Sequence, residues 1–468
     1  MSRSRIQTAA LLGASVGGLE ATASFVVFPE IRDTIAGGNG AAASWTLTVT
    51  GIVGAAVLLQ AGRLADRFGH ERLFRTGVTG FCVASLFAAV SPVLWFLVAA
   101  RAAQALCLSV MSPSSLALIL RDVQPQQHSR TIGQWGAITA VAGVVGAPLA
   151  GVLVDVGSWR ASFVMFAALS ALIAALAWSA PQTVRPRSAG PRSVGPPIDY
   201  LGAVTVVLGL GLLVLGLVEG NRWGWTSAKA VVAGVSAVAL IVAAIMRSKH
   251  QDDPVIPLDL LSGRNMALAC VLSVTTAIGF FAHWLVMLTL LTDLWGLSLR
   301  SAALAASIMP LTMALLAVPA GRIIDGTDFY RVMVPGAMVY AALFALPALF
   351  LDGSRQWWLI LPALIGAGIG MGTVWPPLTG AGTSNIEPGR LATATALIHT
   401  CQRIGGSLGS ALAVAWIAAG VPGEVATYRN PIWLLVVVGI VAAVGSSMLR
   451  RDRPLTQSPR DLVDGGAR

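Results

Sequence analysis

The sequence predicts an all-α integral membrane protein with fourteen membrane-spanning helices. Of its 468 residues, 56% are hydrophobic and only 11% are charged, whereas a soluble globular domain carries roughly 25% charged residues. Apolar runs of about 20 residues, long enough to cross the hydrocarbon core as a helix, recur along the whole chain. Most of the arginines lie between these runs, and they concentrate in every second connecting segment. The predicted environment of the chain is therefore a lipid bilayer.

The apolar runs fall into a first group of six, a pair, and a second group of six. A helix satisfies its own backbone polar groups and can therefore cross lipid singly. The predicted spans are 8–28, 42–61, 73–90, 94–120, 131–154, 161–180, 201–220, 228–247, 266–291, 301–321, 332–350, 357–378, 391–418 and 431–449.

The connecting segments predict the orientation and the domains. Arginine and lysine are enriched on the side of the N-terminus, and an excess of these residues marks cytoplasmic loops. Both termini are therefore expected in the cytoplasm. The predicted domains are a six-helix bundle at 1–180, a basic cytoplasmic linker at 181–197, a two-helix hairpin at 198–250, a second six-helix bundle at 251–450 and a cytoplasmic tail at 451–468.

Composition and motifs argue against several functional classes. The four cysteines lie singly within apolar runs and form no CxxC pair, so neither a disulfide framework nor a metal site is expected. The net charge of +10 reflects loop arginines that mark topology, so no nucleic-acid partner is expected. The sequence contains no HExxH, GxSxG or GxxxxGK[ST] motif, which argues against an enzyme and against a nucleotide-driven pump.

A short motif occurs at the same place in both groups of six. GRLADRFG begins at Gly62 and follows the second span, and GRIIDGTD begins at Gly321 and follows the tenth. Corresponding motifs in two groups of helices are typical of transporters that are built from two related halves. The pair of spans at 201–247 is then an insertion between the halves.

Four motifs resemble those of the major facilitator superfamily. GRLADRFGHERL at 62–73, RAAQAL at 101–106 and GVVGAPLAG at 143–151 are similar to its cytoplasmic loop, fourth-span and fifth-span antiporter motifs. LEATASFVVFPEI at 19–31 resembles the first-span motif of the fourteen-span drug:proton antiporters, with Glu20 where that group usually carries aspartate. The resemblance implies the major facilitator fold, with two six-helix bundles and two inserted helices.

The loop motif is predicted to form a gate at the cytoplasmic surface. Gly62 is expected to permit a tight turn. The resemblance implies that Asp66 faces a helix N-terminus of the other half, near 389–392, where a negative charge is favoured. In an alternative interpretation the charged residues only anchor the loop among the lipid headgroups. The predicted gate motif consists of Gly62, Asp66, Arg67, Gly69 and Arg72.

Glu20 and Arg101 are the predicted proton-coupling residues. An ionisable group inside a membrane span is costly and points to function. At 1.5 Å per residue Glu20 lies about 12 Å and Arg101 about 10 Å below the outer end of its predicted span. The two side chains are therefore expected at similar depth, where Glu20 could alternate between a protonated form and an ion pair. The alternative is a static buried ion pair that only fixes packing.

Further polar and small residues in the spans give weaker hypotheses. Small residues let helices approach closely and proline bends a helix, so the fifth-span motif is interpreted as a helix-packing element. The candidate substrate-cavity residues are Phe25, Gln104, His283, Trp284 and Arg403, and the packing motif is Gly143, Gly146, Pro148 and Gly151.

The expected function is proton-coupled efflux of amphipathic small molecules or drugs by alternating access. The expected partners are a small-molecule substrate, protons and the lipid bilayer of the bacterial inner membrane. We expect a monomer that uses the proton gradient and holds no cofactor or metal. One alternative is a dedicated exporter of one endogenous metabolite, siderophore or antibiotic. The other is a membrane sensor or scaffold, although no predicted loop is long enough for the soluble domain it would carry.

Overall fold

The computed structural model describes residues 5–121, 123, 128–180, 199–251, 257–387, 390–421 and 423–449. Within this part the chain forms fifteen α-helices and no strand. The predicted linker and tail lie outside the described residues. Three residues of the predicted gate motif are described by their backbone alone, and they are Gly62, Asp66 and Arg67.

Six helices form the first half of the structure, which we call the N half. Two of them begin at a polar N-cap: Asn39 accepts a hydrogen bond from the backbone N–H of Ala42 at 3.0 Å, and Ser158 accepts one from that of Arg160 at 3.2 Å. The helices are α1 (Arg5–Thr34), α2 (Gly40–Phe68), α3 (His70–Ala89), α4 (Leu94–Leu120), α5 (His128–Val156) and α6 (Trp159–Ser179).

The predicted turn at Gly62 is wrong, because α2 continues through this residue to Phe68. The chain turns instead at Gly69, which has a φ of +90°. Residues with a side chain rarely adopt this conformation, whereas glycine adopts it at little cost. The loop motif is therefore the last two turns of a helix followed by a glycine bend.

Helices α7 (Tyr200–Trp223) and α8 (Ala228–Lys249) form a hairpin that follows the N half. The buried carboxylate of Asp199 caps α7 by accepting from the backbone N–H of Gly202 at 2.8 Å. The same oxygen accepts from Arg247 Nε at 2.9 Å, so one side chain ties the start of α7 to the end of α8. Helix α7 packs against both α2 and the helix of residues 391–419, whereas α8 packs against α7.

Seven helices form the remaining part, which we call the C half. The predicted span at 301–321 is divided at Ser307 into two helices. Pro310 lies in the first turn of the second of these helices, where a residue without a backbone N–H is tolerated. The helices are α9 (Arg264–Thr289), α10 (Leu299–Ala306), α11 (Ile308–Gly326), α12 (Tyr330–Phe350), α13 (Trp357–Thr383), α14 (Leu391–Ala419) and α15 (Val425–Ser447).

The two halves repeat one pattern of helix contacts. In the N half, α1 packs against α5 and α6, α3 against α4 and α6, and α2 against α4. In the C half, α9 packs against α14 and α15, α12 against α13 and α15, and α11 against α13. Each pair of the first half thus has its counterpart in the second, as two structurally related halves require.

Twelve helical segments of the described chain are long and apolar enough to cross a membrane. Two further helices, α3 and α14, have the necessary length but are not among these twelve. Both carry charged or other polar residues, and both pack within the bundle. The count of fourteen spans therefore stays a prediction.

The two halves are joined mainly at one end of the bundle. We call the end at which α1 begins the inner end and the opposite one the outer end. The largest cluster of buried apolar side chains includes the N half and the outer parts of α9, α12, α13 and α15. The inner part of the C half forms a separate apolar cluster. Packing thus closes the outer end, while the apolar cores of the two halves separate toward the inner end.

Candidate functional site

Glu20 and Arg101 form an ion pair in the interior of the N half. Arg101 Nη2 lies 2.6 Å from Glu20 Oε1, and the side chains are 2% and 8% exposed, respectively. Glu20 lies near the middle of α1, and Arg101 reaches it from α4. The similar depth predicted from the sequence thus corresponds to a direct contact.

The guanidinium of Arg101 uses its other N–H groups on three neighbours. Its Nε donates to the backbone carbonyl of Thr46 on α2 at 2.9 Å, and its Nη1 to Gln104 Oε1 at 3.0 Å. Its Nη2 also donates to Ser24 Oγ at 3.0 Å, and that hydroxyl donates to Glu20 Oε1 at 3.1 Å. Because a planar guanidinium holds several partners in fixed directions, these contacts position the charge beside Glu20.

A second set of contacts fixes the neighbours of the pair. Gln104 Nε2 donates to Ser85 Oγ on α3 at 2.8 Å, which fixes its amide so that the oxygen faces Arg101. The ring of Phe163 on α6 lies 5.8 Å from the guanidinium carbon, within the range of a cation–π contact. Gln104, which was predicted to line the substrate cavity, is instead fully buried in this network and orients Arg101.

The sequence could have indicated only part of this network. Ser24 is one helical turn from Glu20, and residues at that spacing are neighbours on a helix. Ser85 and Phe163 come from other helices. The contact with Thr46 uses its backbone carbonyl, which every residue has, so the sequence does not indicate it. These three contacts could be found only from the packing of α2, α3 and α6 around Arg101.

Arg403 brings a second guanidinium to the same depth from the C half. Glu20 lies about 21 Å below the outer end of α1, and Arg403 about 24 Å below that of α14. The stem of Arg403 packs on Gly54 of α2, where an added Cβ would lie 3.5 Å from Arg403 Cδ. The Glu20 carboxylate attracts the Arg403 guanidinium electrostatically.

The Arg403 side chain is half-buried and makes neither an ion pair nor a hydrogen bond with the part of the chain that the structure describes. His399 lies one turn before Arg403. Protein surrounds its side chain, which is nevertheless accessible to solvent. This combination is typical of a side chain that lines a cavity. The Nδ1 of His399 lies 2.8 Å from Gln402 Oε1. These side chains therefore line a polar wall of α14 inside the bundle, below the closed outer end.

Aromatic side chains of both halves meet close to α14, where the ring of Phe281 packs on Gly406. Phe25 of α1 stacks on Trp284 of α9, with ring centroids 5.8 Å apart, and meets the edge of Phe281 at 5.6 Å. Phe280 lies 4.6 Å from the ring of Trp375 on α13. Phe25 and Trp284 are fully buried, whereas the other three rings are half-buried.

Phe25 and Trp284 were predicted to line the substrate cavity, but the structure buries both of them completely. Phe25 and Trp284 form the sealed contact between the halves, because α1 and α9 approach each other there. Phe280 and Phe281 could not be predicted as cavity residues, since a phenylalanine that lines a cavity has the same sequence pattern as one that faces lipid.

The prediction that His283 lines the cavity is also not supported. Its ring meets the edge of Phe344 on α12 at 5.5 Å, within the C half. His283 lies two residues after Phe281, so it points to the opposite side of α9. Its ring nitrogens are buried and have no hydrogen-bond partner among the described residues.

The outer seam, where the two halves meet at the outer end, carries one ion pair between them. Arg32 Nη1 at the end of α1 lies 2.9 Å from Asp293 Oδ2, in the π-helical turn that follows α9. Both side chains are largely buried, at 19% and 17% exposed. Thr292 Oγ1 donates to the other carboxylate oxygen of Asp293 at 2.8 Å.

The predicted packing motif of α5 contacts both α1 and the C half. An added Cβ on Gly146 would lie 2.8 Å from the backbone oxygen of Leu19, and one on Gly151 would lie 3.0 Å from Arg300 Cα on α10. An added Cβ on Gly143 would make only ordinary contacts, at 3.7 Å. Gly146 and Gly151 thus permit close approach of backbones. Pro148 lies within α5 between them.

At the inner end, each ion pair that the structure describes lies within the N half, the C half or the α7–α8 hairpin. Glu71 Oε1 lies 2.7 Å from Arg75 Nη2 in the N half, and Arg390 pairs with Asp259 in the C half. Arg72 is exposed. The predicted contact of Asp66 with 389–392 lies outside the described side chains.

This architecture and its buried charges are those of a membrane transporter, and the chain belongs to the Major Facilitator Superfamily. The family model matches residues 10–199, 199–410 and 269–467. The chain is therefore a multi-pass inner-membrane transporter.

Curated relatives are drug exporters and similar transporters. The chain is 29% identical to the multidrug resistance protein B homolog of Mycobacterium tuberculosis H37Rv, over 80% of this chain and 69% of that protein. It is 27% identical to the multidrug export protein EmrB of Escherichia coli K12, over 84% and 76% of the two chains. It is also 27% identical to a probable actinorhodin transporter of Streptomyces coelicolor, over 95% and 78%.

Solved structures share the fold at low sequence identity. A D-xylose–proton symporter superposes with a TM-score of 0.69 at 15% identity, and the match covers 97% of this chain and 98% of that one. A partially occluded, inward-open form of the xylose transporter XylE from E. coli gives 0.65 at 14% identity, over 96% and 99%. At this identity, the likeness shows the major facilitator fold alone.

The buried pair should be visible in the stability of the protein. Glu20→Leu leaves the Arg101 guanidinium buried without its counter-ion, a change that costs about 3–5 kcal/mol. Arg101→Leu should have a similar cost, while the double variant should recover much of the loss because neither charge remains. Thermal unfolding of the four purified proteins in detergent measures this. Strictly additive losses in the double variant would show that the two charges are not coupled.

Proposed function

We propose that the chain is a secondary active exporter that exchanges amphipathic small molecules for protons by alternating access. We also propose that it acts as a monomer, with its inner end and both termini in the cytoplasm. The arginine-rich inner connections support this orientation. Relatives named as multidrug export proteins support export. The observation that carries the proposal is the buried Glu20–Arg101 pair, whose carboxylate also attracts Arg403 of the other half.

The proposal includes fourteen spans in the arrangement predicted from the sequence. Helix α3 has 20 residues and α14 has 29, so each is long enough to cross about 30 Å of hydrocarbon. Their polar residues face the interior, as Ser85 does on α3 and Arg403 on α14. Interior-facing polar residues lower the mean hydropathy of a helix without placing those groups in lipid.

Competition at Glu20 provides the exchange of substrate for proton. The ionised carboxylate can accept a hydrogen bond from a substrate, whereas a proton on that oxygen removes the acceptor site. Substrate and proton then exclude each other at the same group. A carrier that returns only when protonated and moves outward only when loaded with substrate is an antiporter.

Alternating access requires a closed contact on one side of the cavity at a time. In the structure, the Arg32–Asp293 pair, the Phe25–Trp284 stack and Gly151 close the outer end. We propose that the bundles at 1–180 and 251–450 rock about the cavity and open this seam. The gate motif then closes the inner end, with Asp66 at the start of α14, where a negative charge is favoured.

The charges in the cavity select the substrate. Besides the neutral Glu20–Arg101 pair, Arg403 adds an uncompensated positive charge, and a permanent cation would be repelled by it. The half-buried rings of Phe280, Phe281 and Trp375 offer aromatic contacts. We therefore propose aromatic amphipaths that carry a hydrogen-bond donor for Glu20 and an acceptor for Arg403.

A dedicated exporter of one antibiotic or other metabolite is the second candidate. The alignment with the probable actinorhodin transporter extends over 95% of this chain, whereas that with EmrB extends over 84%. Both candidates use the same cavity and the same coupling residue. They differ in whether many unrelated compounds or a single one compete for transport.

Glu20→Gln tests the coupling. Glutamine keeps the size of the side chain but cannot take up and release the proton, so substrate-dependent proton movement should be lost. Everted membrane vesicles with an acidified interior and a pH-sensitive dye measure this movement. The matched control is Glu219→Gln, which changes a buried acid of α7 that pairs with Arg222 at the outer end. Unchanged proton exchange in Glu20→Gln would remove Glu20 from the mechanism.

Asp293→Asn tests the outer seam. Loss of the ion pair between Arg32 and Asp293 should favour the outward-open state. Thr48 is buried on α2 where this helix meets α14, so a cysteine introduced by Thr48→Cys in a background without other cysteines should react faster with an impermeant maleimide. The control is Arg222→Gln, which breaks an outer-end ion pair within α7 that does not join the halves. An equal labelling rate in the Asp293→Asn and parent proteins would show that the Arg32–Asp293 ion pair does not hold the outer seam closed.

Arg403→Gln tests substrate selection. Removal of a charged hydrogen-bond donor costs about 1.5–3 kcal/mol, so the KM for uncharged or acidic aromatic substrates should rise roughly tenfold or more. Transport of permanent cations should improve at the same time. The control is Arg355→Gln, which removes a guanidinium that binds the Trp295 carbonyl at the outer surface. A uniform loss for all substrate charges would contradict a selective role.

A further inference from the structure

Three sulfur atoms meet between α9 and α14 in the inner part of the C half. The thiols of Cys270 on α9 and Cys401 on α14 interact where these two helices pack against each other. Cys270 Sγ also lies 3.9 Å from Met266 Sδ, one turn earlier on α9. All three residues belong to or border the inner apolar cluster.

Close helix packing fixes this group of sulfur atoms. One turn further along α9, the backbone oxygen of Val274 would lie only 2.2 Å from a Cβ on Gly405, so α9 and α14 touch through their backbones. The neighbouring side chains Ala269 and Ile398 are buried and apolar. The sulfur atoms are therefore held together in a dry environment without charged neighbours from the same cluster.

We propose that Met266, Cys270 and Cys401 form a binding site for a soft monovalent metal ion, Cu(I) or Ag(I). Thiolate and thioether sulfur are the ligands that Cu(I) prefers, whereas magnesium, calcium and manganese prefer oxygen. Binding releases the proton of one thiol to the solvent, so a monovalent ion held by that thiolate adds no net charge to the apolar cluster, which limits the cost of burying it. Cys401 is half-buried, and it provides the route by which the ion enters.

The site is separate from the proposed substrate cavity. Cys401 lies two residues before Arg403 and two after His399, so its side chain points to the opposite side of α14 from both. The bound ion would join α9 to α14 within one half and would leave the seam between the halves free. Because the ion binds the folded protein, it should raise its stability without entering the transport path.

The test is a titration of the purified full-length protein with Ag(I) in chloride-free buffer. We expect one tightly bound ion per chain, a higher Tm, and a silver K-edge absorption spectrum in which sulfur is the only atom bound to the metal. Cys270→Ser and Cys401→Ser should each lose this ion, and Met266→Leu should weaken its binding. A first shell of nitrogen or oxygen would overturn the proposal.

The chain provides its own matched controls. Cys82 and Cys107 are the other two cysteines, and both lie in the N half on α3 and α4. Cys82→Ser and Cys107→Ser should bind the ion as the parent does. Retained binding in Cys270→Ser or in Cys401→Ser, or loss of the ion in either control, would show that the site lies elsewhere. The Tm of every variant without metal establishes that it is folded, and Cys→Ala replaces any serine variant that is not.

Discussion

The ion pair between Glu20 and Arg101 is the constraint around which the N half is arranged. Two opposite charges away from water are tolerated only when their remaining hydrogen-bonding groups are satisfied. Arg101 meets this requirement by drawing on four helices besides its own: α1, α2, α3 through Gln104, and α6. A shift of any of these helices changes the surroundings of the carboxylate, so the network links the position of the helices to the charge of Glu20.

The C half completes the site with chemistry of a different kind. It contributes no acid among its described cavity side chains, but Arg403, His399 and several aromatic rings. The proposed binding site therefore lies between the Glu20 carboxylate of the N half and the Arg403 guanidinium of the C half. Because the halves meet through the outer seam and separate toward the inner end, a molecule that bridges Glu20 and Arg403 contacts both moving parts. Substrate binding can then alter the equilibrium between inward-open and outward-open states.

The sequence predicted the features that depend on local composition and failed on those that depend on distant contacts. Helical segments and the repeat of the two halves follow from apolar runs and from a repeated motif. The depth of Glu20 and Arg101 follows from counting residues along helices. The Arg32–Asp293 ion pair and the Cys270–Cys401 pair join residues far apart in the chain. No sequence spacing indicates either contact. The bend at Gly69 was misplaced to Gly62 because a helix that extends beyond the bilayer has no apolar signature.

Charge balance around Glu20 relates the protonation of this residue to the states of the proposed transport cycle. On the proposed mechanism, Glu20 when ionised faces two guanidinium groups, one bound at 2.6 Å and one attracted from α14. Protonation removes the only negative charge from this set and leaves two positive charges in a region of low dielectric, where their repulsion is strong. The outer-closed arrangement, in which both guanidinium groups face one carboxylate, therefore favours release of the proton toward the inner end. In the proposed cycle the protonated carrier returns to this arrangement, releases its proton there and leaves the carboxylate free to accept a substrate.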